Sequence, residues 1–292
     1  MNVGILNASG CLDAVTAPDV ARELDAFVTK TITPLPREGN PTPRIAETDF
    51  GMLNSIGLQG PGIDAFLADV LPALAALGRP IWVSVGGFSA DDFAGICEQL
   101  GERHDVATIE LNLSCPNVEE APESSAEIVA ACRATTAKPV YAKLSPANSD
   151  LAEAARAVVA AGADGLSLVN TIRGLALDSA TLQPKLARAV GGYSGPALKP
   201  IALACVHLCA QAVDVPIVGM GGVRSGLDAL ELVAVGASAV ALGTVLFADP
   251  GAPARIRGEL GAEASARGFP QPGDARGIAR VPIEKTVELQ GL

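Results

Sequence analysis

The chain has 292 residues, 49% of them hydrophobic and 3% aromatic, and its net charge at pH 7 is -11. This apolar content is sufficient for the core of one large α/β domain, and we expect residues 1–292 to form a single domain. The acidic balance, without any run rich in lysine and arginine, argues against binding to nucleic acid or to an anionic membrane.

The predicted elements alternate regularly. Short β-branched runs predict strands over residues 3–7, 26–31, 80–85, 108–113, 140–144, 165–170, 216–219 and 239–242. Segments rich in alanine and leucine predict helices between them, for example over residues 64–76, 91–100, 124–136, 151–161, 199–213 and 226–234. Eight such parallel βα units in roughly 250 residues favour a closed (β/α)8 TIM barrel. An open doubly wound sheet is the alternative, because the number of strands alone does not prove closure.

Two segments depart from this repeat. Residues 33–62 contain five prolines, too many for a helix, and we expect hairpins over the mouth of the barrel after the second strand. Residues 171–197 form a long, glycine-punctuated insertion after the sixth strand. Long structured loops within a compact domain are usually functional, so both insertions are candidates for a lid or a partner surface.

The sequence shows no sign of secretion. Its first residues lack the basic start and the apolar segment of a signal peptide, and the longest uncharged run, residues 232–248, is interrupted by glycine, serine and threonine. The six cysteines include no Cys-x-x-Cys pair, which argues against disulfides, zinc and an iron–sulfur cluster in this chain. We therefore expect a cytoplasmic protein that spans no membrane.

The fourth predicted strand ends at an unusual thiol. In Glu110-Leu-Asn-Leu-Ser-Cys-Pro-Asn the proline must end the strand, because it cannot donate to a ladder and holds the residue before it extended. Cys115 is thereby placed at the strand end between Asn112 and Asn117. A lone cysteine is more often a small buried hydrophobe, but this polar company at the mouth of a barrel favours a reactive role.

Polar residues or glycine turns also follow the remaining strands, at the end of the barrel where active sites lie. They are Lys30-Thr31, Lys143, Asn170-Thr171, Gly219-Met220-Gly221-Gly222 and Gly243-Thr244. Glycine turns after the last two strands predict a phosphate site, since backbone N–H groups approach the oxygens closely there. The two lysines, if they are not surface charges, favour an anionic ligand or a developing negative charge.

Few other side chains are candidates for ligand binding, metal binding or proton transfer. Asn54, together with the asparagines already named, can donate and accept hydrogen bonds without titrating, which suits recognition of a ring that carries amides or a carboxylate. His104 and His207 do not follow strands, and no cluster of acidic residues and histidines indicates a metal. Cys115 is then the only reactive proton acceptor expected at the mouth.

A series of motifs in this order resembles one enzyme family. The motifs are Lys30-Thr-Ile-Thr, Pro36-Arg-Glu-Gly-Asn-Pro, Gly51-Met-Leu-Asn-Ser-Ile-Gly-Leu-Gln, Asn112-Leu-Ser-Cys-Pro-Asn, Lys143-Leu-Ser-Pro, Asn170-Thr, Gly191-Gly-Tyr-Ser-Gly-Pro-Ala-Leu-Lys-Pro and Gly219-Met-Gly-Gly-Val. They look like class 1 dihydroorotate dehydrogenase of pyrimidine biosynthesis, and most like the catalytic subunit of its NAD-linked 1B subclass. The resemblance runs from Ala8 to Thr244.

The resemblance implies that FMN lies across the barrel mouth, with its phosphate on Gly221, Gly222, Gly243 and Thr244. Other implied FMN contacts are Ser9, Lys30, Thr31, Asn112, Lys143, Val169 and Gly195. Lys143 is implied to stabilise the charge that reduction places on the N1–O2 edge of the flavin. Dihydroorotate is implied to contact Lys30, Asn54, Asn112, Asn117, Asn170 and Thr171, with help from the main chain of Ser55, Ile56, Gly57 and Leu58.

The resemblance also implies a reaction and partners. Cys115 takes the proton from C5 of dihydroorotate while hydride passes from C6 to flavin N5, which gives orotate and reduced FMN. In the 1B subclass the electrons continue to a separate subunit that carries FAD and a 2Fe-2S cluster, and then to NAD. A homodimer, alone or joined to that subunit, is the implied assembly. Membrane-bound class 2 enzymes have serine at the position of Cys115 and an N-terminal membrane segment, and neither feature is found here.

Three departures from the family pattern stand out: Gly60 and Ser84 replace common asparagines, and residues 119–124 replace a glycine-containing lid. Several alternatives stay open. A class 1A enzyme would reduce fumarate directly, and a dihydropyrimidine dehydrogenase domain usually has histidine in place of Asn117. A flavin-free lyase or aldolase would use Lys143 as a Schiff base, and a silent scaffold would only bind a phosphorylated ligand.

Overall fold

The computed structural model describes residues 2–113 and 124–280. Within them the strands are β1 Gly4–Asn7, β2 Phe27–Val28, β3 Ile45–Thr48, β4 Gly51–Asn54, β5 Ile81–Val85, β6 Thr108–Asn112, β7 Val140–Lys143, β8 Gly165–Leu168, β9 Ile172–Leu175, β10 Val190–Ser194, β11 Ile217–Met220 and β12 Ala239–Leu242. The helices are α1 Pro18–Arg22, α2 Ile63–Ala65, α3 Leu71–Ala75, α4 Ala90–Gly101, α5 Ser125–Thr135, α6 Leu151–Ala160, α7 Lys199–Ala212, α8 Gly226–Val235, α9 Val245–Ala248 and α10 Ala252–Ala266.

Eight strands form one parallel sheet in the order β1-β12-β11-β8-β7-β6-β5-β2. The two end strands meet, because Leu6 forms a parallel bridge with Ala26. The side chain of Asn7 adds two bonds across this seam: its Nδ2 donates to the carbonyl of Val28 at 2.7 Å, and its Oδ1 accepts from the amide of Val28 at 2.8 Å. The predicted (β/α)8 barrel is confirmed, and the open sheet is not found.

The strand faces alternate as a barrel requires. Residues such as Val83, Leu111 and Ala142 face the helices in the main apolar core. Trp82 and Tyr141 pack with the smaller inner cluster, with ring centroids 4.6 Å apart. Towards the carboxyl ends of the strands the inner face becomes polar, and this change creates a site above a packed floor.

The two insertions form a single second sheet. Strands β3, β4, β10 and β9 pair in that order, all antiparallel. The hairpin predicted in residues 33–62 is present as β3 and β4. The strands of residues 171–197 were not predicted, because their long-range pairing of Tyr193 with Leu53 leaves no local signal.

Helix boundaries follow their capping residues. Ser89 and Ser225 each accept a hydrogen bond from a backbone amide of the first turn, and α8 ends at Gly236 with φ +131°. The helix predicted over residues 64–76 is instead α2, a π-helical turn at Phe66–Val70 and α3. The strand predicted over residues 26–31 is shorter, since only Phe27–Val28 are in regular pairing.

No helix in the described part of the chain combines the length and the apolar character needed to cross a membrane.

Candidate active site

A cavity of about 310 Å³ opens at the carboxyl ends of the barrel strands. Strand-end residues and the loops after β11 and β12 form its floor and one wall, while Ile45, Met52, Asn54 and Ser194 of the second sheet line it too. Both insertions therefore contribute to the walls of one site, as expected for functional loops.

A chain of hydrogen bonds crosses the cavity from β5 to β8. The hydroxyls of Ser84 and Thr31 share a bond of 3.0 Å, and Asn112 Nδ2 donates to Thr31 Oγ1 at 3.2 Å. Asn170 Nδ2 then donates to Asn112 Oδ1 at 3.0 Å, and Asn170 Oδ1 accepts from the amide of Thr171 at 2.8 Å. These bonds fix which polar groups are presented to a ligand.

Ser84 does not line the cavity. It is fully buried, and its hydroxyl supports Thr31 from below. The family that the motifs resemble commonly has asparagine here. In this chain the shorter hydroxyl of Ser84 instead holds the side chain of Thr31.

Lys30 follows β2 and lines the cavity, where its side chain is exposed to the open mouth. The surrounding protein still removes part of its hydration, and this desolvation, with a smaller contribution from the nearby Arg44, lowers the pKa of Lys30. A cation in this position is suited to an anionic ligand, because such a ligand would offset the repulsion between the two positive side chains.

Lys143 has different surroundings although it lines the same cavity. Its side chain is only 6% exposed, and its Nζ lies 3.5 Å from Oε1 of Glu110, whose side chain is 2% exposed. The two residues come from the adjacent parallel strands β7 and β6. The cavity floor thus contains a buried ion pair, with the positive member at the ligand side.

The glycine turn after β11 adopts a backbone that other residues rarely accept. Gly221 and Gly222 have φ of +123° and +76°, and a Cβ on Gly222 would lie 2.7 Å from the amide nitrogen of Lys199. Gly243, after β12, has open surroundings instead, since a Cβ there would come no closer than 3.8 Å to another atom. Both turns line the cavity, so main-chain groups can approach a ligand closely.

Cys11 contributes a thiol to the cavity lining, which sequence reasoning missed. Burial raises the pKa of Cys11 to about 11, and the charge of Lys143 offsets only part of that rise. A thiol that stays protonated at neutral pH is neither a base nor a nucleophile. Cys11 therefore lines the site without competing for the role predicted for Cys115.

The structure brings most of the predicted site residues to this one cavity. Its lining includes Ser9, Lys30, Thr31, Asn54, Ile56, Leu58, Asn112, Lys143, Val169, Asn170, Thr171, Gly195, Gly221, Gly222, Gly243 and Thr244. Ser55 and Gly57 are described but do not line it: Ser55 Oγ accepts from Asn40 at 3.0 Å, and the carbonyl of Gly57 accepts from Arg37 at 3.4 Å. Cys115 and Asn117 lie outside the described residues.

Other lining residues were not predicted. They are Ala8, Gly10, Cys11, Ile45, Met52, Ser194, Leu198, Val223 and Phe247, while Met220 lies in the turn that was predicted at the mouth. Most are apolar or small and carry no local sign of ligand contact. Glu110 was also missed as a partner of Lys143. A charged residue between Ile109 and Leu111 is unusual for a buried strand, but it did not indicate the pairing. The described residues contain no group of three or more side chains arranged to bind a metal.

Comparison with known proteins adds a second line of evidence. Residues 2–263 match the family model described as dihydroorotate dehydrogenase. A protein of Listeria innocua named dihydroorotate dehydrogenase B (NAD(+)), catalytic subunit, is 44% identical over 256 residues, which cover 84% of each chain. A protein of the same name from Trichlorobacter lovleyi is 46% identical over 241 residues, covering 80% of this chain and 79% of that one.

A solved structure shares the fold. The crystal structure of DHODH from Eimeria tenella in complex with ferulenol superposes with a TM-score of 0.79 at 24% sequence identity, covering 96% of this chain and 86% of the other. At this level of identity the likeness supports the barrel architecture alone.

Proposed function

The chain belongs to the dihydroorotate dehydrogenase family, and from that premise we propose that it oxidises dihydroorotate to orotate in pyrimidine biosynthesis, with FMN as its cofactor. The observation that carries this proposal is the cavity itself. It places an exposed lysine, a chain of oriented amides, a buried lysine and two glycine turns around one volume at the barrel mouth. These groups can bind a flat, polar, anionic ring from several sides of the cavity.

The residues present fit FMN. The left-handed turn at Gly221 and Gly222 leaves main-chain groups bare towards the cavity, and Gly243 leaves space beside Thr244, which suits a phosphate. Ser9, Thr31, Asn112, Val169 and Gly195 would hold the remainder of the cofactor, together with Lys30 and Lys143. When bound there, FMN would supply a hydride acceptor for the substrate. Lys143 keeps a positive charge beside the cavity, where it stabilises the negative charge that reduction creates.

The substrate is held by charge and by amides. Lys30 attracts the carboxylate of dihydroorotate, while Asn54, Asn112, Asn170 and Thr171 match its ring amides and carbonyls. Asn117 and the main chain of Ile56 and Leu58, the two residues of the 55–58 segment that line the cavity, complete the set. Cys115, the base that the resemblance implies, removes the proton from C5. The thiol of Cys11, which lines the cavity, is held protonated by burial and does not compete for this role.

The names of the relatives support a proposal for the electron acceptor. The relatives from Listeria innocua and Trichlorobacter lovleyi are named catalytic subunits of NAD(+)-linked enzymes, so we expect this chain to pass its electrons to a second subunit with FAD and a 2Fe-2S cluster. We also expect a homodimer of the catalytic chain and a cytoplasmic location. A fumarate-reduction assay on the isolated chain tests the alternative, because direct reduction of fumarate would assign it to class 1A.

The first experiment is an anaerobic titration of the purified chain with dihydroorotate, followed at the flavin absorption bands. Bleaching of a bound yellow chromophore, with one orotate formed for each FMN reduced, is the expected result. A yellow protein that dihydroorotate does not bleach would move the substrate to another dihydropyrimidine. A colourless chain that cannot be reconstituted with FMN would overturn the proposal.

Cys115→Ala tests the proposed base. Since a positioned general base contributes roughly 10²- to 10⁴-fold, flavin reduction by dihydroorotate should slow by about that factor while FMN stays bound. In the unmodified chain the rate should rise from neutral towards alkaline pH, because an ordinary thiol has a pKa of about 8.5 and only the thiolate accepts a proton. Rapid-mixing kinetics measure both effects.

The matched control is Cys11→Ala, which removes the cavity thiol that burial keeps protonated and should alter the pH profile little. A flat profile in the unmodified chain between pH 6 and 9, or loss of FMN from Cys115→Ala, would argue for a structural role of Cys115 instead.

A further inference from the structure

The interior of the barrel beneath the cavity contains the buried pair of Glu110 and Lys143. Their side chains are 2% and 6% exposed, and Nζ lies 3.5 Å from Oε1. In the strand register Glu110 lies beside Ser84 and Tyr141, and Lys143 lies beside Asn112 and Ser167. Lys143 lines the cavity, whereas Glu110 does not.

Stability alone is a weak reason for such a pair. The desolvation of two buried charges often cancels their attraction, so that an apolar pair of similar volume is as stable or more stable. Removal of one partner, in contrast, leaves an uncompensated charge and is strongly unfavourable. The carboxylate of Glu110 therefore has a clear effect on Lys143: it makes a charged ammonium tolerable at the cavity floor.

The charge of Lys143 affects another group in the cavity lining, the thiol of Cys11. Its ammonium acts on the thiol of Cys11, where it opposes the effect of burial. In the same layer the hydroxyl of Ser167 is buried without a hydrogen-bond partner in the described part of the chain. Because Lys143 is buried and also lines the cavity, water screens its charge only weakly from a ligand there.

We propose that Glu110 is a positioning residue for the flavin reaction: it holds the ammonium of Lys143 charged and in place at the cavity floor, and thereby raises the reduction potential of FMN. This rests on the proposed function. Glu110 need not touch substrate or cofactor, and its effect passes entirely through Lys143.

The test uses Glu110→Gln in the full FMN-loaded chain, with two measurements that need no turnover. One is the midpoint potential of the bound flavin, and the other is the dissociation constant for sulfite, which adds to flavin N5 and leaves negative charge at the N1–O2 edge. The variant should lower the potential and weaken sulfite binding by about tenfold or more. This is the effect expected when the positive charge of Lys143 is lost from beside the flavin, at an effective dielectric constant near 20.

Companion variants test whether the effect passes through the lysine. Lys143→Met should shift both readouts in the same direction, and Glu110→Gln should add little in that background. Glu110→Asp keeps the charge but withdraws the carboxylate, so it should give a smaller shift, and it keeps the test open if the glutamine variant fails to fold. The control is Glu231→Gln, which breaks a lysine–glutamate contact of 2.7 Å outside the barrel interior and should leave both readouts unchanged.

Three results would overturn the inference. An unchanged potential and sulfite affinity, with only a lower melting temperature, would make Glu110 purely structural. A higher potential would show that its negative charge acts directly on the flavin. If the effects of Glu110→Gln and Lys143→Met on the potential and on sulfite affinity simply add, Glu110 acts independently of Lys143. If dihydroorotate still bleaches the unmodified chain, these results leave the proposed function intact, whereas a chain that binds no FMN overturns both.

Discussion

Two lysines serve one cavity in opposite surroundings. Lys30 projects into the open mouth, where desolvation and Arg44 lower its pKa. Lys143 is buried in the floor and is paired with Glu110. In the proposed function the exposed lysine binds the anionic substrate, while the buried, paired lysine faces a charge that appears only during the reaction. The differences in burial and pairing are the basis for proposing different roles for the two lysines.

The lowered pKa of Lys30 predicts a pH dependence of orotate binding. The lysine carries its charge only below its pKa, so a lowered pKa means that the charge is lost before the range of an ordinary lysine, about 10.4, is reached. The dissociation constant of orotate should rise on the alkaline side, by about tenfold when the charge is gone. Lys30→Arg should remove this dependence, because guanidinium stays charged.

Fluorescence or absorbance titrations of oxidised enzyme with orotate, from neutral pH upwards, measure this effect. Lys185→Arg is the control, since Lys185 is an exposed lysine of the second insertion that does not line the cavity. If the pH dependence persists in Lys30→Arg, another group, such as the thiol of Cys115, is responsible.

At the scale of elements, the two glycine turns differ in a testable way. Gly222→Ala would place a Cβ 2.7 Å from Lys199 in a left-handed backbone at φ +76°, and we expect a loss of about 2–3 kcal/mol in stability. Gly243→Ala meets no atom closer than 3.8 Å, so the fold should tolerate it. Its methyl group would narrow the cavity lining and weaken FMN binding.

Urea unfolding of the apoprotein and titration with FMN separate these effects. Gly222→Ala should lose both stability and FMN affinity, and Gly243→Ala should lose affinity alone. Unaltered FMN binding by Gly243→Ala would show that the turn after β12 does not hold the cofactor.

The second sheet marks the limit of what sequence could predict. Prolines predicted hairpins in residues 33–62, but not that Asn54 would donate to the carbonyl of Gly192 at 3.3 Å across 138 residues of chain. Turn residues report local geometry, whereas a pairing between distant strands depends on the barrel that brings their ends together. The resemblance implied that Asn54 and Gly195 contribute to one site, but the pairing of the two insertions in one sheet was visible only in the structure.

For the whole molecule, barrel topology explains why the site was predicted better than its surroundings. The carboxyl ends of all parallel strands meet at one rim, so Lys30, Asn112, Lys143 and Asn170 could be grouped from their positions alone. Glu110 could not, because its role depends on the inward side of β6 and on the length of the lysine side chain. How deep a side chain lies inside the barrel is determined only when the sheet closes, so it cannot be read from the sequence of one strand.

Closure itself depends on a side chain, and this leads to a prediction. Asn7 is fully buried and bonds both backbone groups of Val28, at a seam where β2 has only two regularly paired residues. Asn7→Ala leaves a buried amide and a buried carbonyl without these partners, and we expect a loss of about 2–4 kcal/mol in unfolding free energy. The amide of Val28 should also exchange its hydrogen faster than amides of the other barrel strands.

Asn40→Ala provides the comparison, because Asn40 Nδ2 also makes two bonds, to Ser55 O and Oγ, each of 3.0 Å. Its bonds lie within the first insertion, so the loss of global stability should be smaller, about 1 kcal/mol, and exchange at Val28 should not change. Urea unfolding and hydrogen exchange of both variants measure the difference. If Asn7→Ala is as stable as the unmodified chain, the Leu6–Ala26 bridge and apolar packing close the barrel without the side chain, and the rim of the active site does not depend on it.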